Sequence, residues 1–362
     1  MNSKTVLLIL SLVLNACDST DPTTDISVVE WVQILDSDWV AKVAPQGELV
    51  RLESGRLFRS SDHGGSWTST EPSVPDGWLE FQELKAVGSS GEIIVELDGR
   101  TQGEGAEDYR GLARSTDGGV TFEEIPTEWL GPQNFSVAPV NVWIDDINTL
   151  FASPFYKQGG GPRLFRLGPG ETTWSTSFPF EDYDPRVSVS LDPEGHLYML
   201  SLTGSTYRSL DRGRNWQLLP DGPFTPTGSI ILLDHRQIYR IGSNPASGGR
   251  SLFISEDEGS SWSHLDFFTT FQSVSEVVVG TNGHLFAIVD ESQNELMYRS
   301  IDEGVSWEKV NSGLPASIAG NDSIHLGGLM MGTDGILYVH YFVSASGFHS
   351  VYRTTTTVGA VE

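Results

Sequence analysis

Cysteine is nearly absent from this 362-residue sequence, because Cys17 is the only one. A lone thiol cannot form a disulfide within the chain, so a fold held by disulfides is excluded. Basic residues are also scarce: 22 Lys and Arg face 48 Asp and Glu, and the formal charge is −26. Nucleic acid needs a basic surface that neutralises its phosphates, so we expect no nucleic-acid partner.

Long amphipathic helical patterns are missing as well. The chain instead has 39 glycines and 18 prolines, which separate short apolar runs as turns separate strands. Cofactor motifs are lacking too. The eight histidines form no H-E-x-x-H pair, and "YKQGGGPR" at 156–163 has no strand and helix around it as a phosphate loop would. These absences favour an all-β protein without a cofactor.

The first 25 residues resemble a targeting segment followed by a tether. Lys4 precedes an apolar run from Thr5 to Leu14, which is shorter than the roughly 20 residues of a membrane-spanning helix. The next stretch, "LNAC" at 14–17, resembles a bacterial lipobox. The resemblance implies a signal peptide over 1–16, lipidation of Cys17 and a flexible tether over 17–25. The alternative is an ordinary secretory signal with an incidental cysteine.

A short motif recurs in the rest of the chain. It is Ser-x-Asp-x-Gly-x-(Ser/Thr/Asn)-(Trp/Phe), and its five copies lie at 59–67, 114–122, 208–216, 254–262 and 299–307. The aspartates are 55, 94, 46 and 45 residues apart, so the gap of 94 predicts a worn copy inside it. "RLGPGETTW" at 166–174 fits that place, although Pro169 and Glu171 replace the Asp and the Gly. A weaker copy is 353–362.

Apolar strand-like runs that follow turns alternate with these motifs and predict seven similar units. Periods of roughly 20–50 residues indicate solenoids, propellers or arrays, and four antiparallel strands repeated radially make a β-propeller. We predict a seven-bladed β-propeller over 26–362, with six blades as the alternative because two motif copies are degenerate. The last unit has three strands, so 26–35 is predicted to supply its fourth strand and close the ring.

The motif has the chemistry of a turn. Its Asp and Ser can accept hydrogen bonds from nearby N–H groups, its Gly allows a positive φ, and its aromatic residue anchors the turn. Calcium would need clustered oxygen donors, and each copy offers one Asp. We therefore assign a structural role to Asp62, Asp117, Asp211, Asp257, Asp302, Trp67, Phe122, Trp216, Trp262 and Trp307.

These motifs resemble Asp-boxes, also called bacterial neuraminidase repeats. Asp-boxes occur in sialidase-superfamily propellers, xyloglucanase-type glycosidases, sortilin-type receptors and photosystem assembly-factor propellers. The resemblance covers nearly all of 26–362. It implies boxes between the third and fourth strands of each blade, on the face away from the ligand site. One fold hosts many functions, so the resemblance does not select an activity.

No catalytic residue is carried over from that resemblance. Sialidases use three arginines, a Tyr–Glu pair and an aspartate, and the Arg-Ile-Pro-like motif around the first arginine is missing here. The arginines at 59, 114, 166, 208, 299 and 353 share one repeat position, which favours a structural role. A sialidase-like or xyloglucanase-like glycoside hydrolase with two loop carboxylates is the alternative function.

The loops that join one blade to the next are the predicted ligand-binding face. They mix aromatic and acidic side chains, which suit a sugar or a peptide, unless the aromatics only fill the joints between blades. The candidate binding residues are Trp78, Trp129, Phe180 and Phe224. The candidate catalytic residues, all within "FEDYDPR", are Glu181, Asp182, Tyr183, Asp184 and Arg186.

The sequence thus predicts a monomeric, lipid-anchored propeller of the bacterial cell envelope. It would lie outside the cytoplasm, in the periplasm or at the outer surface, and bind a protein or glycan without catalysis, metal or cofactor.

Overall fold

Strands are the only regular secondary structure in the part of the chain that the structure describes. The computed structural model describes residues 29–35, 41–44, 47–100, 108–126, 138–155, 164–178, 188–191, 195–200, 205–220, 222, 225–232, 237–243, 250–265, 272–280, 282–291, 294–315, 324–332, 334–343 and 348–358. In these ranges there is no helix with the length and apolar character needed to cross a membrane.

Twenty of the strands form five separate antiparallel sheets of four strands each, in chain order. Sheet 1 contains β2 (Lys42–Val43), β3 (Leu49–Glu53), β4 (Arg56–Ser60) and β5 (Thr68–Thr70). Sheet 2 contains β6 (Glu80–Val87), β7 (Ile93–Arg100), β8 (Asp108–Ser115) and β9 (Glu123–Ile125). Sheet 3 contains β10 (Ala138–Ile144), β11 (Leu150–Phe155), β12 (Leu164–Leu167) and β13 (Ser175–Phe178). Sheet 4 contains β14 (Ser188–Leu191), β15 (Leu197–Leu200), β16 (Thr206–Ser209) and β17 (Gln217–Leu218). Sheet 5 contains β18 (Thr225–Leu232), β19 (Ile238–Ser243), β20 (Arg250–Ser255) and β21 (Ser263–Leu265).

The remaining eight strands form one sheet with two halves. The first half contains β22 (Gln272–Val279), β23 (Leu285–Glu291), β24 (Asn294–Ser300) and β25 (Glu308–Lys309). The second half contains β26 (Ile324–Met331), β27 (Leu337–Val343), β28 (Phe348–Thr354) and β1 (Trp31–Leu35). The halves meet at one parallel pair, Asn294 with Ile324. Strand β1 pairs with β28, so the predicted pairing of the N-terminal segment with the last strands is present.

Buried apolar side chains lie between each sheet and the next. Leu57 of sheet 1 packs in a cluster with Ile93 of sheet 2, and Ile94, on the other face of sheet 2, packs with Leu150 of sheet 3. The first strands are also neighbours, since β6 lies between β2 and β10, and β22 lies between β18 and β26. Successive side chains of a strand point to opposite faces, so each sheet is buried on both sides.

The second half of the large sheet packs on sheet 1. Leu49 of β3 shares a buried cluster with Ile336 and Tyr338. Close by, the Nδ1 of His63 lies 2.9 Å from the hydroxyl oxygen of Tyr338. The two ends of the described chain therefore belong to one packed interface.

The recurrent motif forms the same turn in five places, each between the third and fourth strands of a sheet or half-sheet. In the last copy, the Ser300 hydroxyl donates to Asp302 at 2.8 Å and accepts from the backbone N–H of Gly304 at 2.8 Å. The Asp302 carboxylate accepts from both the N–H and the hydroxyl of Ser306, at 2.8 and 2.5 Å. Equivalent bonds around Asp62, Asp117, Asp211 and Asp257 close the other turns.

The motif glycine lies against the preceding sheet, where a side chain would not fit. A Cβ on Gly304 would come 2.6 Å from Leu265 of sheet 5, and one on Gly119 would come 2.5 Å from Leu57 of sheet 1. Both glycines have positive φ angles, 90° and 87°. The glycine therefore serves the turn and the close approach of two sheets at once.

The motif arginines also join neighbouring sheets. Arg59 donates to the carbonyl oxygen of Gly118 in the next turn at 2.8 Å. Arg208 pairs at 2.5 Å with the Glu258 carboxylate of the next turn. These contacts agree with the structural role that their shared repeat position favours.

Truncation of the Trp307 side chain should be costly. The residue is 8% exposed and packs in the interface between sheet 5 and the first half of the large sheet. Its indole N–H donates to the carbonyl oxygen of Gly304 at 2.9 Å. We expect Trp307→Ala to lower the free energy of unfolding by about 3–5 kcal/mol, as large truncations in a core do. Urea unfolding measures the change. The control is Val305→Ala at a side chain that is 73% exposed, and equal losses in the two variants would contradict the buried role.

The turn carboxylates should make the fold sensitive to acid. Hydrogen bonds from Ser66, first from its hydroxyl and then from its N–H, lower the pKa of Asp62 from 3.8 to about 2. Because the pKa is lower in the folded state, the ionised carboxylate stabilises the fold above about pH 4, and this contribution is lost as the pH falls towards 2.

The Asp62→Asn variant isolates this contribution. The melting temperature of the variant should lie below that of the wild type at pH 5, and the gap should narrow towards pH 2. Asp76→Asn, at an exposed position, is the control and should leave the wild-type pH profile unchanged. A gap between wild type and Asp62→Asn that is constant from pH 5 to 2 would count against the assignment.

Candidate functional site

Nine of the ten residues predicted as catalytic, ligand-binding or lipidation sites lie outside the described part of the chain. These are Cys17, Trp129, Phe180, Glu181, Asp182, Tyr183, Asp184, Arg186 and Phe224. The motif residues and Trp78 are described. The roles proposed for the undescribed residues therefore stay predictions from the sequence.

Trp78 lies at the joint between sheets 1 and 2. Its indole is half-buried and packs against the cluster that contains Phe81 and Leu97. A Cβ added to Gly111 would come within 2.3 Å of its ring, so the indole lies directly on the backbone of β8. This packing is what the joint-filling alternative predicts, while the exposed part of the ring leaves ligand contact as a prediction.

A group of charged side chains lies in sheet 2 at the end remote from its turn. In the register of β7 and β8, Ile93 is opposite Ser115, where the turn begins, and Asp98 is opposite Arg110 near the other end. We call this remote end the opposite rim. The Asp98 cluster consists of Glu80, Gln82, Glu83, Lys85, Glu96, Asp98 and Arg110.

Two β-bulges in β6 bring polar side chains to this cluster. The register with β7 shifts between Phe81 and Glu83 and again between Leu84 and Ala86. Gln82 and Lys85 are the inserted residues, and bulges of this kind re-aim side chains. As a result, the Gln82 amide lies 3.3 Å from the Asp98 carboxylate and the Lys85 ammonium lies 2.6 Å from that of Glu96.

Lys85 and Glu96 form a buried ion pair. Their side chains are 7% and 8% exposed, and Lys85 also contacts the more exposed Glu83 at 2.7 Å. Removing one partner of such a pair leaves an uncompensated buried charge, which is strongly destabilising. The pair therefore fixes the position of Glu96 beside Asp98.

Asp98 is satisfied less completely. The residue is 6% exposed, and its Oδ1 is buried without a hydrogen-bond partner among the described residues. Among the described side chains, the nearest cation is Arg110, whose Nε is 3.8 Å from Oδ1 and whose Nη1 is 3.4 Å from Glu96. Both distances exceed those of ordinary charged hydrogen bonds, about 2.7–2.9 Å, so the guanidinium is held loosely between the two carboxylates.

In the interface between the two halves of the large sheet, unlike in the Asp98 cluster, the carboxylates accept hydrogen bonds from backbone N–H groups. Glu276 accepts from the N–H groups of Gly328 and Leu329 at 3.2 and 2.8 Å, and Glu295 accepts from the N–H of Leu326 at 2.6 Å. Burial raises the pKa of Glu295. These acids accept hydrogen bonds from the backbone of β26, whereas Asp98 Oδ1 has no such donor among the described residues.

Metal binding is not indicated by the described side chains. No group of three or more His, Cys, Asp or Glu among them could hold a metal ion. The five motif aspartates lie in five different turns and bond to residues of their own turns.

The sequence contains a signal for part of this cluster. In "IIVELDG", Glu96 and Asp98 stand two residues apart in a run that is otherwise apolar, so both carboxylates fall on one face of a strand. That face is the one on which Ile94 packs against sheet 3. Arg110 was not among the candidate residues predicted from the sequence, and Lys85 was missed because strict alternation does not predict bulges.

Comparison with known proteins supports a fold class. No protein-family model matches the sequence, and no curated protein is similar to it in sequence. Among the solved structures that resemble this chain over most of its length are β-propeller proteins. Together with the successive four-stranded antiparallel sheets, they define a propeller-like all-β fold.

For three of these structures, we give the share of each chain that the match covers. YCF48 from Cyanidioschyzon merolae is 15% identical, with a TM-score of 0.57 over 90% of this chain and 98% of that chain. YCF48 bound to D1 peptide is 12% identical, with a TM-score of 0.53 over 93% and 99%. The GH74 xyloglucanase from Xanthomonas campestris is 16% identical, with a TM-score of 0.52 over 89% of this chain and 55% of that chain. Identities this low show a shared fold and nothing about activity.

Proposed function

We propose that this protein is a lipid-anchored, extracytoplasmic propeller that binds a protein or glycan at its opposite rim without catalysis. The observation that carries the proposal is the Asp98 cluster at the opposite rim, where a carboxylate oxygen is buried without a donor among the described residues. At the turn end, the motif aspartates bond within their own turns and motif arginines bond across the interfaces, although Glu92 Oε2 is a second buried oxygen of the same kind there.

The proposed propeller has seven blades. Sheets 1 to 5 would be five of them, and the two halves of the large sheet would be the sixth and seventh. Packing of the second half on sheet 1 through Leu49 and Tyr338 supports a closed ring. In the same interface, a Cβ on Gly64 would come 2.9 Å from Ile34 of β1, which repeats the close approach made by the other motif glycines.

The proposal also assigns the repeated turns to the Asp-box class. Support comes from their place between third and fourth strands and from the shared Ser–Asp–Gly hydrogen bonds. In that class the ligand site is on the other face, which agrees with binding at the opposite rim.

The structural matches concern the fold, and their extents are compatible with a propeller that binds a ligand without catalysis. This chain covers 98–99% of YCF48, including the form bound to a peptide, and 55% of the xyloglucanase. A glycoside hydrolase is kept as the second candidate, because the xyloglucanase resembles 89% of this chain and because acids are abundant in the loops of the predicted binding face.

A binding screen with parallel hydrolysis assays tests the proposed function. We expect the purified chain to bind members of a glycan array or peptide library and to leave xyloglucan and a fluorogenic sialoside intact. Tyr183→Ala, in a predicted rim loop, should weaken the binding found. Val305→Ala, on a repeated turn, is the control and should not. Hydrolysis of either substrate, or equal loss in both variants, would contradict the proposal.

Membrane attachment has its own test. If Cys17 is lipidated, Cys17→Ser should move the protein from the membrane pellet to the soluble fraction, because acyl chains contribute about 0.8 kcal/mol per buried CH₂ and several chains give a stable anchor. Cell fractionation measures the distribution. Ser19→Ala, two residues away in the tether, is the control and should stay in the pellet. Continued pelleting of Cys17→Ser would exclude the lipid anchor.

A further inference from the structure

We propose that the Asp98 cluster is the subsite that receives a lysine or arginine side chain of a partner protein. The inference rests on the proposed binding function and specifies the chemistry of its ligand. Its starting point is the buried Asp98 Oδ1, which has no hydrogen-bond donor among the described residues. A buried charged acceptor without a donor is costly, so a donor from a ligand would be favourable there.

The charge of the cluster selects a cation. Four carboxylates face two cations, Lys85 and Arg110, so the cluster has a formal charge of −2 at pH 7. Lys85 is already held at 2.6 and 2.7 Å by two glutamates. Among the described residues, no second cation approaches Glu96 and Asp98 at the roughly 2.7–2.9 Å of a charged hydrogen bond.

Arg110 occupies the place that a ligand cation would take. Its guanidinium lies 3.4 Å from Glu96 and 3.8 Å from Asp98, and its side chain is 26% exposed. An incoming guanidinium or ammonium can displace it and approach both carboxylates at hydrogen-bond distance. Arg110 then acts as an internal competitor, and its removal should strengthen binding.

The location suits a partner protein. The cluster lies at the opposite rim of sheet 2, on the face towards sheet 3, because Glu96 and Asp98 lie on the same face of β7 as Ile94 of that interface. Solvent reaches the cluster at Glu83, whose side chain is 62% exposed, and at Arg110, whose side chain is 26% exposed. A long side chain that reaches down from a bound polypeptide can therefore meet the carboxylates.

Fluorescence anisotropy with a labelled, N-acetylated hexalysine peptide tests the proposal on the purified chain. We expect Asp98→Asn to raise the dissociation constant of the peptide about tenfold, because a hydrogen bond to a charged group is lost. Arg110→Gln should lower the dissociation constant. Hexaglutamate should not bind to any variant.

Two matched controls separate the subsite from the general acidity of the chain. Glu123→Gln removes an exposed acid at the turn end of the same sheet. Lys309→Gln removes a cation that is 51% exposed on β25. Each should change hexalysine binding by less than about twofold. Equal effects of Asp98→Asn and Glu123→Gln, or of Arg110→Gln and Lys309→Gln, would overturn the subsite. Competition by a neutral xyloglucan oligosaccharide would overturn it as well, because the cluster would then hold a sugar.

The outcomes for the two proposals are distinct. Near-ultraviolet circular dichroism of each variant establishes that it is folded, and Arg110→Gln carries the test if Asp98→Asn unfolds. If Asp98→Asn and Arg110→Gln leave hexalysine binding unchanged while Tyr183→Ala still weakens the binding of a partner, the subsite is wrong and the rim function stands. If these variants change hexalysine binding but Tyr183→Ala leaves partner binding unchanged, the loop-based function is wrong.

Discussion

The structure depends on sheets that have two apolar faces. Strands β12, β15 and β16 are buried at all four of their positions, so both faces of those sheets must be covered. A single four-stranded sheet cannot cover itself, and these sheets are too short to fold over. The available solution is to pack each sheet between two others, which is what the clusters between successive sheets achieve. A closed ring extends that solution to the first and last sheets, which would otherwise each leave one face in water.

This constraint explains how an acidic chain places its charge. Acids in the turns are surrounded by N–H and hydroxyl donors, and the hydrogen bonds from Thr121 hold the pKa of Asp117 well below its usual range. Between sheets, arginines join one turn to the next, as Arg208 joins Glu258. The charge of these motif residues is thus neutralised by local bonds and used to hold sheets together. The Asp98 cluster lies at the other end, where no repeated turn supplies donors.

The sequence predicted the repeated elements well, because each of them depends on local chemistry. The Ser–Asp–Gly turns, the strands around them and the pairing of β1 with β28 all follow from short patterns. The Asp98 cluster did not follow, because Lys85 reaches Glu96 through a bulge. A bulge depends on how one strand pairs with another, and the sequence of β6 alone does not predict it. The other candidate residues of the rim belong to loops whose sequences have no repeat to compare, so they stay predictions.

The degenerate motif at 166–174 indicates that the hydrogen bonds of the turn matter more than the identity of its residues. Asp and Gly are replaced there by Pro169 and Glu171, yet the Glu171 carboxylate accepts from the N–H of Gly168 at 2.7 Å and from Arg166 at 2.9 Å. Hydrogen bonding, first from Gly168, lowers the pKa of Glu171 as it does for the motif aspartates.

The neighbouring sheet completes this replacement. Arg212 of the next turn reaches back to Asp145 and Asp146, at 2.6 and 2.7 Å, in the turn between β10 and β11. Sheet 3 therefore keeps a carboxylate inside its turn and an ion pair across its interface, although its motif is nearly lost. A search for the motif letters would miss this unit, whereas a search for a carboxylate that accepts from its own turn would find it. With the five motif turns, this criterion gives six carboxylate turns, and the four strands of the second half of the large sheet are the reason we favour seven blades over six.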